Sequence, residues 1–300
     1  MLYRSRGEKV FNVINIIIMT LIAGVTLYPF LNVLAISFNE GLDTVIDSSL
    51  IFPRKFTLQN FLMAIRYPNF IRAFWISVAR TVLGVTISIL TVTLAAYALS
   101  KKNLIFRNII ITFLIIPRFI NPGLIPNYIN MHNLGLINNF LVYVLPGAFS
   151  FYSCLIIRTY IQGLPAEMEE SAVIDGASYW KVFIKIIFPM SMPCIAAITL
   201  FSAVGGWNDW MTSLIYVPTR YDLHTLQYLL QRILKESQTI TEIMNINDLE
   251  LYNEKHKFNT TTELSIRMAA LVITVTPIIV VYPMLQKHFA KGLLLGAVKG

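Results

Sequence analysis

The chain has 300 residues, of which 56% are hydrophobic and only 13% charged, with a formal net charge of +8. Soluble domains carry about 25% charged residues, so this balance, with a mean hydropathy of +0.63, excludes an ordinary soluble domain. Cys154 and Cys194 fall in apolar stretches without metal-ligand neighbours, which argues against a disulfide framework or a zinc site and leaves packing as their role.

In chain order, residues 1–11 read as a short cytoplasmic N-terminus and 12–300 as a single transmembrane domain. Six windows, 12–37, 72–99, 105–129, 138–162, 189–214 and 264–286, each supply the ~20 apolar residues that a membrane helix needs. Backbone polar groups in lipid must be satisfied within the segment, so the expected class is an all-α integral membrane protein with six transmembrane helices. The apolar run from Val10 is longer than the core of a signal peptide and closes without a small-residue cleavage site, so it reads as a retained span.

Arg4, Arg6 and Lys9 precede the first window, and Lys101, Lys102 and Arg107 lie between the second and third. Lys181 and Lys185 follow the fourth, and Lys287, Lys291 and Lys299 follow the last. Six spans put all of these on one side, and the positive-inside bias makes that side the cytoplasm, with both termini there. The positive balance is therefore a matter of topology, and no groove-reading motif points to nucleic acid.

Two loops on the opposite side break the pattern. The first, 38–71, carries Asp43, Asp47, Arg54 and Lys55, with Pro53 and Pro68 as breakers. Tyr67, Phe70 and Trp75 at its end suit an interfacial aromatic belt. The second, a large extracytoplasmic loop over 217–262, repeats Leu223, Leu226, Leu230, Ile233 and Leu234 near the helical period, which predicts an amphipathic helix. From Glu242 to Thr262 the pattern weakens, leaving a solvated connector and a dock for an external partner equally open. Pro117, Pro122, Pro126, Pro146, Pro189, Pro193, Pro277 and Pro283 predict kinks in the last four spans.

Between the fourth and fifth windows, residues 164–188 form an ordered polar patch. Pro165 suits a helix N1 position, and Glu167, Glu169 and Glu170 crowd the first turns, where the helix dipole favours negative charge. Gly176 can end that helix with a positive φ. Ser178 can cap a second helix that places Lys181 and Lys185 on one face and Phe183 and Ile187 on another.

Glu170-Ser171-Ala172, then Asp175-Gly176-Ala177, then Ile186 with Phe188-Pro189, closely resemble the EAA motif of ABC-importer permeases. That motif usually reads E-A-A-x-x-D-G-A followed by I-x-L-P; Ser171 and Phe188 depart from it, small for small and apolar for apolar. Gly206-Trp207-Asn208-Asp209 is similar to the W-N element of carbohydrate-uptake permeases. Gly123-Leu124-Ile125-Pro126, Leu134 to Asn138, and the tail from Tyr282-Pro283 through Gly292, Gly296 and Lys299-Gly300 resemble the LplC/YtcP-type, MalG-related subgroup.

The resemblance implies a MetI/MalG-like ABC type I permease fold in the cytoplasmic (inner) membrane of a bacterium. It implies that Glu170, Ser171, Ala172, Asp175, Gly176 and Ala177 dock into an ATPase subunit, with Gly176 setting the angle between two short helices. The implied partners are a second permease, as a heterodimer, two ATPase subunits and an extracytoplasmic solute-binding protein. The implied cargo is an oligosaccharide. No G-x-x-x-x-G-K-[ST] segment is present, so the chain itself is not read as an enzyme; it has no cofactor of its own, and ATP with Mg belongs to the ATPases.

Ionisable residues inside spans are functional candidates by default. Arg118, with Asn121, Asn127 and Tyr128 after it, offers guanidinium, amide and hydroxyl groups suited to sugars and to carboxylate-bearing sugars. Trp207, Asn208, Asp209 and Trp210 add stacking faces and acceptors, although interfacial anchoring explains the tryptophans as well. Arg80 reads as structural, pairing with a neighbouring helix carbonyl, and Arg158 as snorkelling from a span end. No catalytic triad, paired carboxylates or metal cluster stands out. An importer for a different solute remains open. The rival class is an ion-coupled secondary transporter, which predicts internal repeats and midplane carboxylates; no repeat is evident, and Asp209 sits near a span end.

Overall fold

The structure is a computed structural model that describes residues 6–46, 48, 51–120, 122–243 and 261–297. Arg4, Asp47, Asn121, the 244–260 part of the second loop and Lys299-Gly300 lie outside the described residues. Apart from one isolated bridge between Asn39 and Phe56, the described residues are helix, turn and loop. They form two compact units, residues 1–70 with 230–275 and residues 71–229 with 276–300.

The first unit begins with α1 (Arg6–Ser37), whose apolar window is entirely unburied, as suits a helix immersed in lipid. Thr20 and Thr26 turn their hydroxyls back onto the carbonyls of Ile16 and Ile22, so neither is left unsatisfied in hydrocarbon. Where α1 ends, a buried polar knot organises the first loop around α2 (Gly41–Ile46) and α3 (Gln59–Arg66). The Asn39 amide donates to Asp43 and Thr44 and accepts from the Lys55 N–H, each within 3.0 Å. The Asn60 amide donates to the carbonyls of Ser37 and Asn39 at 3.0 and 2.8 Å. A side chain at Gly41 would come within 2.2 Å of the Thr262 backbone nitrogen, so only glycine fits there.

In the second unit α4 (Phe70–Ser100) is an unbroken span about 46 Å long at 1.5 Å per residue. The third, fourth and fifth predicted spans are interrupted. The third window is α5 (Arg107–Phe119) and α6 (Leu124–Asn133), bent by 118°, with Gly123 at φ +83° just before α6. The fourth is not one helix. Asn139 caps a 3-10 turn at Phe140–Tyr143, and Ser150 accepts the N–H of Ser153 to start the twelve-residue α7 (Phe151–Gln162). Two strong caps and Pro146, which has no N–H to donate, favour a break over a continuous helix.

The 164–188 patch ahead of the fifth window is α8 (Glu167–Ile174), α9 (Tyr179–Val182) and a π-helical turn at Phe183–Ile187, and the window opens on α10 (Phe188–Met190). It then bends by 74° into α11 (Met192–Asn208), followed by α12 (Met211–Tyr216). The predicted amphipathic helix is α13 (Leu226–Ile243), with Leu226, Leu229, Leu230 and Ile233 buried. Last comes α14 (Glu263–Ala297), which contains Pro277 and Pro283 and is capped where the Ser265 N–H meets the Thr262 hydroxyl. Among the described residues three helices are long and apolar enough to cross a membrane, or up to five if each bent pair is one span. The apolar core of this unit joins Val92, Ala96 and Tyr97 of α4 to Ile157 of α7, Phe183 of the π turn and Ile198 of α11.

Candidate functional site

The EAA-like segment forms a rigid bracket. Glu167, Glu169 and Glu170 occupy the first turn of α8, while Pro165 lies outside the helix and Ala166 takes the cap position. The helix starts later than Pro165 predicts because the N–H groups of both Glu169 and Glu170 bond to the Ala166 carbonyl. It stops in a Schellman motif: Ala177 N–H bonds to Ala172 O at 2.9 Å and Gly176 N–H to Val173 O at 3.0 Å, with Gly176 at φ +80°. The Ser178 hydroxyl then accepts the Lys181 N–H and starts α9.

The bracket has two sides. Ala172 and Ala177 pack against the core together with Phe183 and Ile187. Glu170, Ser171, Asp175 and Gly176 face outward beside Tyr179, Trp180 and Ile174, the last 85% exposed. One carboxylate of the first turn points the other way. Glu169 Oε1 accepts the Tyr97 hydroxyl at 3.2 Å and pairs with the Lys101 ammonium, which lies 4.1 Å from the Tyr97 ring centroid. Sequence reasoning missed this trio because Glu169 lies 72 and 68 positions from Tyr97 and Lys101 and looks like its neighbours. Arg158 also departs from the snorkelling expectation. Its Nε–H donates to the Leu99 carbonyl at 3.0 Å, where a turn-forming chain end leaves that acceptor open, and Arg107 donates to the same oxygen at 2.9 Å.

Deeper in the same unit lies a polar cavity of about 320 Å³, lined by Arg80, Ser88, Tyr143, Ser150, Ser202 and Asp209 among others. Arg80 is buried and makes a two-pronged contact with one residue, donating to Asp209 O at 2.7 Å and Asp209 Oδ2 at 2.6 Å. Its guanidinium also lies 4.7 Å from the Tyr143 ring centroid. Asp209 in turn caps α12, accepting the Thr212 N–H at 3.1 Å and the Thr212 hydroxyl at 2.5 Å. The Tyr143 hydroxyl donates to Leu223 O at 2.9 Å and shares a hydrogen bond with Ser213. With its cation neutralised by a carboxylate, the cavity presents hydroxyls and dipoles in a low-dielectric setting. A second, apolar cavity of about 440 Å³ lies on the other side of Thr81, lined by Val82, Leu200, Trp207 and Pro277 among others.

The predicted path residues separate into distinct places. Arg118 is exposed at the end of α5 and has no hydrogen-bond partner among the described residues. Asn127 and Tyr128 lie on α6, where Tyr128 stacks on Tyr216 at 6.1 Å. Asn121 lies outside the described residues. Trp207 is buried edge-on to Phe74 at 6.0 Å, a packing position instead of an interfacial anchor, while Asn208 is exposed and Trp210 half-buried. Of these residues Asp209 alone lines the polar cavity, joined there by Arg80, whose expected carbonyl partner turns out to be Asp209 itself. Among the described residues no group of three metal-ligating side chains comes together.

The profile of the family described as "Binding-protein-dependent transport system inner membrane component" matches residues 84–294. Protein LplC of Bacillus subtilis is 34% identical over 299 residues, covering 100% of this chain and 98% of the relative. The polygalacturonan/rhamnogalacturonan transport system permease protein YtcP of the same bacterium is 32% identical, covering 98% and 99%. A crystal structure of a bacterial ABC transporter involved in the import of the acidic polysaccharide alginate contains a chain that superposes with a TM-score of 0.83 at 25% identity, covering 96% of this chain and all of that one. This all-helical membrane chain therefore belongs to the family of inner membrane components of binding-protein-dependent transport systems, the permeases of ABC importers.

Proposed function

We propose that this permease carries acidic oligosaccharides across the cytoplasmic membrane as one half of a heterodimer, with both termini in the cytoplasm. Two ATPase subunits hold ATP and Mg, and an extracytoplasmic binding protein delivers the cargo. The observation that carries this reading is the bracket of α8 and α9: a helix pair held at one angle by Gly176, anchored by Ala172 and Ala177, and presenting Glu170, Ser171 and Asp175 outward. Such a surface suits a groove in a moving ATPase. Closure of the two ATPases would tilt the bracket and rock the permeases between inward-open and outward-open states.

The cargo class draws support from relatives named for polygalacturonan and alginate, both carboxylate-bearing polymers, and from the exposed guanidinium of Arg118. The neutralised, hydroxyl-lined cavity around Arg80 and Asp209 suits the hydroxyls of a passing sugar ring. The complex in proteoliposomes tests both parts. ATP with binding protein should drive uptake without any ion gradient, and uptake driven by a gradient alone would end the importer reading. Arg118→Ala should depress uptake of oligogalacturonate more than that of a neutral oligosaccharide of equal length; an equal fall for both would end the acidic assignment.

A further inference from the structure

We infer that Glu169, Lys101 and Tyr97 form a joint through which the bracket drives α4, making them positioning residues for transport separate from the surface offered to the ATPase. The inference rests on the coupling role proposed above and adds the internal route by which the push reaches the cavity.

Three observations carry it. The first is convergence. Tyr97 and Lys101 stand four residues apart, on one face at the end of α4, and both engage Glu169 of α8. The Tyr97 hydroxyl also reaches the Tyr179 carbonyl at 3.5 Å, and its ring packs on Phe183 at a centroid distance of 5.1 Å. Both arms of the bracket therefore meet a single turn of α4.

The second is reinforcement of that turn. Arg107 and Arg158, from two other helices, both donate to the Leu99 carbonyl. Cations at a helix C-terminus oppose its negative dipole end, and here they also satisfy a carbonyl that has no partner within the helix. The end of α4 is thereby a fixed point shared by α5, α7 and the bracket.

The third is stiffness. The covalent route from the bracket into α11 passes through a π-helical turn and a 74° bend at Ser191, so it is not a straight rod. The route through α4 has no proline and no break. Tyr97 lies about 25 Å along the helix axis from Arg80, whose guanidinium grips Asp209 and the Tyr143 ring in the polar cavity. A rod bonded at both ends transmits a displacement that a bent path dissipates. Glu170 and Glu169, adjacent in sequence, thus divide the work, one facing outward and one holding the rod.

The test is a charge-swap cycle in the complete complex, reconstituted with its second permease, ATPases and binding protein. The readouts are copurification of the ATPases, ATP hydrolysis and solute uptake. Glu169→Lys and Lys101→Glu alone should keep the ATPases bound and hydrolysing while the ATP consumed per solute rises roughly tenfold, within the usual span of coupling free energies. The double swap should restore that ratio to within about twofold, as a direct pairwise interaction requires. Tyr97→Phe, which keeps the ring and removes the hydroxyl that donates to Glu169, supplies a milder variant with a rise of about threefold, the size of a single lost hydrogen bond. An unchanged ratio in all three single variants, or a double swap no better than either single swap, overturns the inference. A wild-type complex that fails to couple ATP to uptake instead overturns the proposal of the preceding subsection.

Discussion

Arg80–Asp209 and Lys101–Glu169, two of the ion pairs that join α4 to its surroundings, differ in burial, and burial decides what each can do. Arg80–Asp209 lies inside the unit, the arginine side chain 6% exposed and the aspartate 29%. Lys101–Glu169 sits at the helix end with both side chains between a fifth and a quarter exposed. Removing one partner of a buried pair strands the other charge in a poor solvent. Removing one partner of a pair that water can reach costs little. The first pair is thus suited to holding the fold together, and the second to passing a displacement on without carrying much of the chain's stability.

Breaking the buried pair should produce the largest effect. Asp209→Leu leaves the Arg80 guanidinium, the buried member of the pair, uncompensated and should destabilise the chain by about 3 kcal/mol, the low end of the range for such losses because Arg80 keeps the carbonyl at position 209 and the Tyr143 ring. Thermal unfolding of the purified complex in detergent measures this, and Arg80→Met combined with Asp209→Leu should recover most of the loss. Next comes Gly176→Ala. Nothing lies within 4 Å of the added methyl, so the penalty is the left-handed backbone alone, about 1–2 kcal/mol. It should lower both the unfolding temperature and uptake, and Gly176→Asn, which tolerates that region better, should restore part of each.

Lys101→Met should shift unfolding by under about 1 kcal/mol, as partly exposed pairs do, even though the same pair governs the coupling ratio above. An unfolding shift as large as that of Asp209→Leu would erase the distinction between the two pairs. The smallest effect belongs outside the spans, at Asp222, which pairs with Arg72 and Arg220. The Arg220 hydrogen bond is the main cause holding its carboxyl down to about 2 from the ordinary 3.8. A depressed carboxyl contributes its stability fully above the ordinary value and loses it as pH falls through the depressed one. The difference in unfolding temperature between Asp222→Asn and the parent should therefore stay flat from about pH 7 to about pH 5.

Local signals were legible and distant ones were not. Gly176, Ser178 and the leucine repeat at 226–233 act within a few residues of themselves, and each did in the fold what its chemistry predicts. The break in the 138–162 window was partly written in Asn139, Pro146 and Ser150, yet the apolar run around them masked it. Arg80 and Asp209 are 129 positions apart, and the two strands of evidence that each carries, a charge in a span and a carboxylate at a span end, do not point to one another. The division of Glu169 from Glu170 is a matter of helix phase, one side of α8 facing α4 and the other facing away, which composition alone cannot resolve.

The π-helical turn at Phe183–Ile187 amounts to one surplus residue wound into an otherwise α-helical stretch. Five residues wound this way turn and rise about as far as four in regular α geometry. Excising Ile184 would therefore let the turn tighten while Tyr179, Trp180 and the Gly176 elbow kept their present facing. Losing one residue from the regular α11 (Met192–Asn208) would instead swing everything upstream by about 100°. For this permease the π turn is the one place on that path where an amino acid can be lost without re-aiming the bracket.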